Sequence, residues 1–276
     1  MPFWKMHGIG NDYVLIDNRS GLLAEEILSN VARCICRRRF SIGADGLLLI
    51  EPSQVADVKM RIFNADGSEA EMCGNGIRCF AKYCYENGIV RKEEISVETL
   101  AGVRRVWLET EKGKVLSATV DMGKPIWERE RIPVLGKGGF VNESLEVDGA
   151  LFKATCLSLG NPHCVIFVDN VKDFPVEKIG PKIENHPIFP SRINVEFVQI
   201  LKMDEISVRV WERGVGETLA CGTGACASVA AGNAIGKLGP KCIVHLLGGD
   251  LAIEYKIEGI LMRGPAEKVY EGVILL

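Results

Sequence analysis

No uninterrupted apolar run in this chain of 276 residues reaches the roughly 20 residues that cross a bilayer, so no helical membrane span is expected. The opening Met1-Pro2-Phe3-Trp4-Lys5-Met6-His7 lacks the basic and then apolar stretch of a signal peptide, which predicts a cytoplasmic protein. Charge of one sign is equally scarce. With 33 Lys and Arg against 36 Asp and Glu, and the signs interspersed, a net charge of -3 excludes a nucleic-acid groove or a membrane surface as the expected partner. There is no C-x-x-C pair, and His7, His163, His186 and His245 show no ligand spacing to one another, so no metal is expected. Gly222 to Ala227 fits a loose G-x-G-x-x-A pattern, but the acidic residue about twenty positions on is missing and Asp250 falls too late for a dinucleotide site. Low-complexity tails are absent too.

The chain does contain one pattern twice. Cys73-Gly74-Asn75-Gly76 and Cys221-Gly222-Thr223-Gly224 each lead into an apolar stretch of helical spacing. Arg61-Ile62-Phe63-Asn64 precedes the first at the spacing by which Arg209-Val210-Trp211-Glu212 precedes the second, and Glu69 and Glu217 fall in register. Upstream, Gly10-Asn11-Asp12-Tyr13 through Asp17 resembles Gly160-Asn161-Pro162-His163 through Asp169. The chain therefore reads as the duplication of one ancestral half, and its length suits two domains. The expected fold class is α/β (α+β), with two pseudo-symmetric lobes of strands curled around a central buried helix. The first lobe, 1–118, carries Cys73, and the second, 119–266, carries Cys221.

Strand-like runs bounded by turn residues are expected at Tyr13–Asp17, Leu47–Ile50, Val58–Phe63, Ile95–Glu98, Val103–Glu109 and Val115–Asp121. Further runs follow at Cys164–Val168, Asn194–Ile200, Ile206–Trp211, Cys242–Leu246, Leu251–Ile257 and Ile260–Gly264. Leu23–Cys36 has peripheral helical spacing with a basic end at Arg37–Arg39. Ile77–Tyr85 and Ala225–Ile235 are apolar or small on nearly every side, as buried helices are. The stretch between Ile132 and Ala150, with Gly136-Lys137-Gly138-Gly139, reads as a polar insertion.

Most of the ten cysteines are expected to be free, small apolar core residues, and Cys34, Cys36, Cys79, Cys84, Cys156, Cys164, Cys226 and Cys242 are assigned to packing. Cys73 and Cys221 differ, because each stands between a strand and a Gly-rich turn at the start of a helix. Such a turn lets backbone N–H groups approach an anion, and the positive helix end is expected to lower a thiol there from about 8.5 towards neutrality. Two thiols on opposite sides of one carbon, one thiolate and one thiol, invert a stereocentre, whereas a single group on one face restores the starting configuration. Taken singly, Asn11, Asn64, Asn194, Asn161-Pro162-His163 and Glu212-Arg213-Gly214 read as turn formers or a solvated strand end.

Taken together, Asn64-Ala65-Asp66-Gly67-Ser68-Glu69 leading to Met72-Cys73-Gly74-Asn75-Gly76, and Glu212-Arg213-Gly214 leading to Gly216-Glu217-Thr218-Leu219-Ala220-Cys221-Gly222-Thr223-Gly224, resemble the diaminopimelate epimerase family. Lys5 to Asp12 and Gly160 to His163 match as well, so the resemblance covers nearly the whole chain. It implies a cofactor-independent epimerase interconverting LL- and meso-diaminopimelate on the way to lysine, with no pyridoxal phosphate, in a homodimer whose segment 267–276 returns to the first lobe. It also implies that Cys73 and Cys221 exchange the thiolate and thiol roles and that His163 and Glu212 help set their protonation. Glu212 also belongs to the implied substrate site. The substrate carboxylate would lie on the N–H groups of Gly74, Asn75, Gly222 and Thr223. The far end of the substrate would meet Asn64, Asn161, Asn194 and Arg213, with Asn11 nearer the reacting centre; Arg213 suits bidentate carboxylate binding. One departure is Gly46, where some members carry a glutamine.

Two other readings stay open at this level. A two-base racemase or epimerase of proline or hydroxyproline type would share the thiols, but Arg213 and the asparagines favour a longer, doubly charged substrate. A thiol redox sensor or amino-acid-binding protein would use the pair as a reversible disulfide.

Overall fold

The computed structural model describes residues 1–275; Leu276, the last residue of the expected returning segment, lies outside them. The chain divides into two units, one of Met1–Asp121 together with the segment from Arg263 onward, the other of Met122–Met262. The first holds β1 (Pro2–Gly8), β2 (Asn11–Asp17), α1 (Leu28–Ile35), β3 (Gly46–Glu51), β4 (Val58–Asn64), the short β5 (Glu69–Ala70), α2 (Gly74–Glu86), β6 (Glu94–Thr99), β7 (Gly102–Glu111) and β8 (Lys114–Asp121). Then come β9 (Phe140–Val147), β10 (Ala150–Ser158), β11 (Pro162–Phe167), α3 (Val176–Glu184), β12 (Asn194–Lys202), β13 (Glu205–Glu212), β14 (Gly216–Thr218), α4 (Gly222–Ala234), β15 (Lys241–Leu246), β16 (Gly249–Lys256) and β17 (Gly259–Gly264). The last strand is β18 (Glu267–Val273). The chain is thus mixed α/β, mostly strand, with few helices.

The pairing of strands repeats from one unit to the other. β2 runs parallel to β3 with Tyr13 opposite Gly46, and β11 runs parallel to β12 with His163 opposite Asn194. β3 and β12 are followed by antiparallel partners, β4 and β13, which in turn pair parallel with β6 and β15. β5 and β14 fold back on β4 and β13. Even a bulge recurs, between Lys5 and Met6 in β1 and between Ala154 and Cys156 in β10. The partner across the bulged edge differs in origin, since β10 takes β9 from just before it and β1 takes β18 from the far end of the chain.

Each unit wraps strands around one helix. α2 packs on β1, β2 and β8, and α4 on β10, β11, β12 and β16. Gly232 lets the chain that leaves α4 fold back on it: a Cβ there would stand 2.4 Å from Leu238 Cδ1. The one large polar residue inside α2, Arg78, is fully buried and donates to the carbonyls of Gly74 and Pro265 at 3.1 and 3.0 Å.

Every strand expected from the sequence falls on an observed one, but several expectations need correction. The helix expected over Leu23–Cys36 is a 3-10 turn, Glu25–Ile27, followed by α1. Asn18 explains the late start, because its side chain holds both the N–H and the carbonyl of Leu23 outside the helix at 2.8 and 3.2 Å. α1 turns Leu28, Val31, Ala32 and Ile35 inward, which leaves Cys34 exposed rather than in the core. The expected polar insertion is a loop only as far as Gly139. From Phe140 the chain forms β9 against β10, with Phe140, Leu145 and Val147 in the core beside Ile132 and Val134. The expected runs leave out β1, β9, β10, β18, the short β5 and β14, and α3. All ten cysteines are free.

Candidate active site

β4 and β5 deliver the chain to Cys73, which is the N-cap of α2 with φ -140° and ψ 123° and accepts the Gly76 N–H on Sγ at 3.5 Å. A cap residue is usually Ser, Thr, Asn or Asp; here sulfur takes the place of the oxygen. The amides of Gly74 and Asn75 lie in the first turn, ahead of the first intrahelical acceptor. Tyr13 Oη stands 2.9 Å from Sγ and 2.7 Å from Asn11 Oδ1. Asn11 is oriented in turn by donating Nδ2 to Asp45 Oδ2 at 2.8 Å, and Asp45 is held by Arg38 at 2.8 Å. Burial first, and then the charge of Cys73, push the Tyr13 phenol well above its ordinary value.

Position 46 has a physical reason to be glycine. A Cβ there would lie 2.8 Å from the Phe63 carbonyl and 3.1 Å from Tyr13 Cε1, so the tyrosine ring fills the room a longer side chain needs.

The second thiol is set differently. Cys221 caps α4 with φ -121° and ψ 110°, accepts the Gly224 N–H at 3.4 Å and lies 3.4 Å from Thr223 Oγ1. Behind it runs a chain of hydrogen bonds: Asn161 Nδ2 donates to Thr223 Oγ1 at 3.2 Å, Asn161 Oδ1 meets His163 Nε2 at 3.0 Å, and His163 Nδ1 meets Glu196 Oε1 at 2.7 Å. His163 and Glu196 are both fully buried, and Glu196 Oε2 has no hydrogen-bond partner. Burial, followed by the charges of Glu212 and Glu196, pushes the Cys221 thiol well above its ordinary value; Thr223 and the Gly224 N–H oppose this without overcoming it. The expected lowering by the helix end is therefore corrected at Cys221, where desolvation and two carboxylates outweigh the dipole.

Glu212 ends β13 and accepts the Thr218 hydroxyl at 2.6 Å. Asn194 ties strand ends together, donating to the Pro162 carbonyl at 2.8 Å and accepting the Arg213 N–H at 2.9 Å. The Arg213 guanidinium reaches the Ser191 carbonyl at 3.2 Å. Asn64 is the exposed last residue of β4, with its amide on Ser68 Oγ at 3.0 Å. The repeated Arg and Glu prove to be matching braces: Arg61 pairs bidentately with Glu69 at 2.7 and 2.9 Å, and Arg209 with Glu217 at 2.6 and 2.9 Å. Each clamps the strand before the thiol turn onto its short partner.

Three residues of these settings were missed in the sequence. Tyr13 was visible through its alignment with His163 in the repeat. Glu196 was visible as an acid between the apolar Val195 and Phe197, where a buried charge needs a partner. Glu184 left no local signal; it holds the turn of Arg213 by accepting from Gly214 N–H at 2.8 Å and Trp211 Nε1 at 2.7 Å. Among the described residues no group of three or more His, Cys, Asp or Glu is placed to hold a metal, and no helix is long and apolar enough to cross a membrane.

The family model for diaminopimelate epimerase matches residues 3–128 and 155–269 of the chain. The diaminopimelate epimerases of Moorella thermoacetica and Pelotomaculum thermopropionicum are 53% and 54% identical over 275 residues, covering 99% of this chain and 98% of each relative. That of Methanococcus maripaludis is 50% identical over 277 residues, covering 99% of each. Among solved structures, a PhzF-family phenazine biosynthesis protein from Bacillus anthracis superposes with a TM-score of 0.71 at 18% identity, covering 100% of this chain and 99% of that one. A hydroxyproline epimerase from Agrobacterium vitis gives 0.70 at 14% identity, covering 99% and 91%. At these identities the two structures share the fold, and nothing about activity follows from them.

Proposed function

Because the chain belongs to the diaminopimelate epimerase family, we propose that it interconverts LL- and meso-2,6-diaminopimelate in lysine biosynthesis by moving the α-proton between Cys73 and Cys221. The reading is carried by one observation, that both repeat cysteines cap a helix with sulfur on a first-turn amide.

The substrate carboxylate takes the amides of Gly74, Asn75, Gly222 and Thr223, which stabilise the charge that grows as the α-proton leaves. At rest Cys221, kept a thiol by burial and by Glu212 and Glu196, is the proton donor. Cys73, with Tyr13 Oη and the Gly76 N–H at its sulfur, is the acceptor. The roles exchange in the reverse direction. His163 acts on Cys221 through Asn161 and Thr223. Asn11, Asn64, Asn161, Asn194, Glu212 and Arg213 hold the rest of the substrate, and Arg213 supplies the fork for its distal carboxylate. No cofactor takes part. The protein works as a homodimer in the cytoplasm, where both thiols stay reduced.

The test is incubation of reduced protein with LL-diaminopimelate in deuterium oxide, alongside Cys73→Ala and Cys221→Ala. Meso product with deuterium at the inverted carbon, lost in each variant, is expected. No product and no exchange in the unaltered protein would refute the proposal.

A further inference from the structure

The hydroxyl nearest the first thiol has one proton and two neighbours. Tyr13 Oη is 2.9 Å from Cys73 Sγ and 2.7 Å from Asn11 Oδ1. Asn11 Oδ1 can only accept, and the Asn11 amide is fixed in that orientation by its bond to Asp45. Both distances are satisfied in two ways. With Cys73 a thiol, S–H donates to Oη, with Asn11 Oδ1 a longer second acceptor at 3.7 Å, and Oη–H donates to Asn11. With Cys73 a thiolate, Oη–H turns to the sulfur.

We propose that Tyr13 is a positioning residue of the epimerisation, a two-way hydrogen-bond partner that holds Cys73 Sγ in both of the protonation states the reaction needs. This rests on the two-thiol reading above. The proton taken from the substrate stays on Sγ, and the tyrosine proton only changes acceptor, so no phenolate forms. Burial of the phenol agrees with this, since it keeps Tyr13 protonated through the neutral range. The titratable and charged groups around the pair are Asp45, ahead of β3, and Cys79 and Arg78 on α2. Cys79 is pushed up to about 12 by burial and stays a thiol, while Asp45 is engaged by Arg38. At the equivalent position of the second unit, His163 reaches Cys221 only through Asn161 and Thr223.

Tyr13→Phe removes the hydroxyl and keeps the ring. A hydrogen bond to a charged sulfur is strong enough that kcat/KM at neutral pH is expected to fall on the order of 10- to 100-fold. The fall is equal in both directions, because the equilibrium constant fixes their ratio. The acid limb of the kcat/KM profile moves to higher pH, so the deficit narrows in alkali. Without substrate, alkylation of Cys73 at neutral pH, followed by peptide mass spectrometry, slows by roughly ten-fold while that of Cys221 is unchanged. Unchanged Cys73 alkylation and an unmoved pH limb overturn the proposal, whether or not activity falls. Absence of epimerisation in the unaltered protein would instead overturn the two-thiol reading, and the alkylation comparison would still decide the contact. If Tyr13→Phe does not fold, 3-fluorotyrosine at position 13, a more acidic donor, is expected to speed Cys73 alkylation; no change overturns the proposal.

Discussion

Glu196→Gln tests whether carboxylates keep Cys221 a thiol. Glu196 Oε1 and Cys221 Sγ lie 2.7 and 3.3 Å from one point, the place a Cβ on Gly224 would occupy, so the two atoms are within about 6 Å of each other. At that separation and an effective dielectric near 20, a full negative charge on Glu196 disfavours the thiolate by about 3 kcal/mol. His163 Nδ1 at 2.7 Å engages the same carboxylate, so the effect to look for is about half of that, about 1.4 kcal/mol, or a factor of about ten in thiolate fraction. Glutamine keeps a partner for His163 Nδ1, so the fold is expected to survive. Removing the negative charge lowers the Cys221 pKa, and its alkylation at neutral pH should quicken by about ten-fold. The assay is the rate of modification of the Cys221 peptide by a small alkylating reagent, across pH, against Cys73 as an internal reference. An unchanged or slower rate in folded Glu196→Gln would show that Glu196 does not hold Cys221 as a thiol and refute the electrostatic argument for it.

Arg209→Met removes the bidentate brace to Glu217 and the bonds to the carbonyls of Val171, Lys172 and Phe174, and should cost about 2–3 kcal/mol in denaturant unfolding; a midpoint unmoved by the change would contradict this. Asp12 is pushed up by burial but held low overall by its bonds to Arg38 and Lys5. Its folded value being depressed, its contribution to stability is present above about pH 4 and lost as pH falls through the folded value. Asp12→Asn should therefore destabilise the protein at pH 7 and leave a smaller difference from the parent at pH 3, as read by thermal melts. Cys34, the exposed cysteine outside the candidate site, should be modified well ahead of Cys36 and Cys79, which, both pushed up to about 12 by burial, stay protected at pH 8 until unfolding; labelling kinetics by mass spectrometry decide this.

The turns that carry the chemistry were legible because their signal is local: a cysteine, two glycines and an apolar helix, repeated, define the cap of α2 and of α4 without knowledge of the rest. What surrounds those turns was less so. α3 escaped because Gly180 and Pro181 break the helical pattern. Gly180 is needed there, since a Cβ would meet Trp211 Cγ at 2.6 Å. β18 is mostly exposed and becomes a strand by pairing with β1 across the length of the chain, which no window along the sequence contains. Gly46 looked like a lost contact, and only the position of the Tyr13 ring gives its reason. The Glu196 to Cys221 chain joins three stretches far apart in sequence, Asn161 with His163, Glu196, and Cys221 with Thr223, each ordinary by itself.

The pairing of β1 with β18 also bears on how the protein is made. The second unit is one continuous stretch, Met122–Met262, and all of its residues are present once that stretch has left the ribosome. The first unit begins to emerge earlier but keeps a bare edge on β1 until Glu267–Val273 arrives. Order of folding thus runs against order of synthesis, and for most of translation the oldest part of the chain carries an open strand edge able to pair wrongly. A nascent chain stalled before β18 should hold a protease-resistant second unit and a susceptible first one.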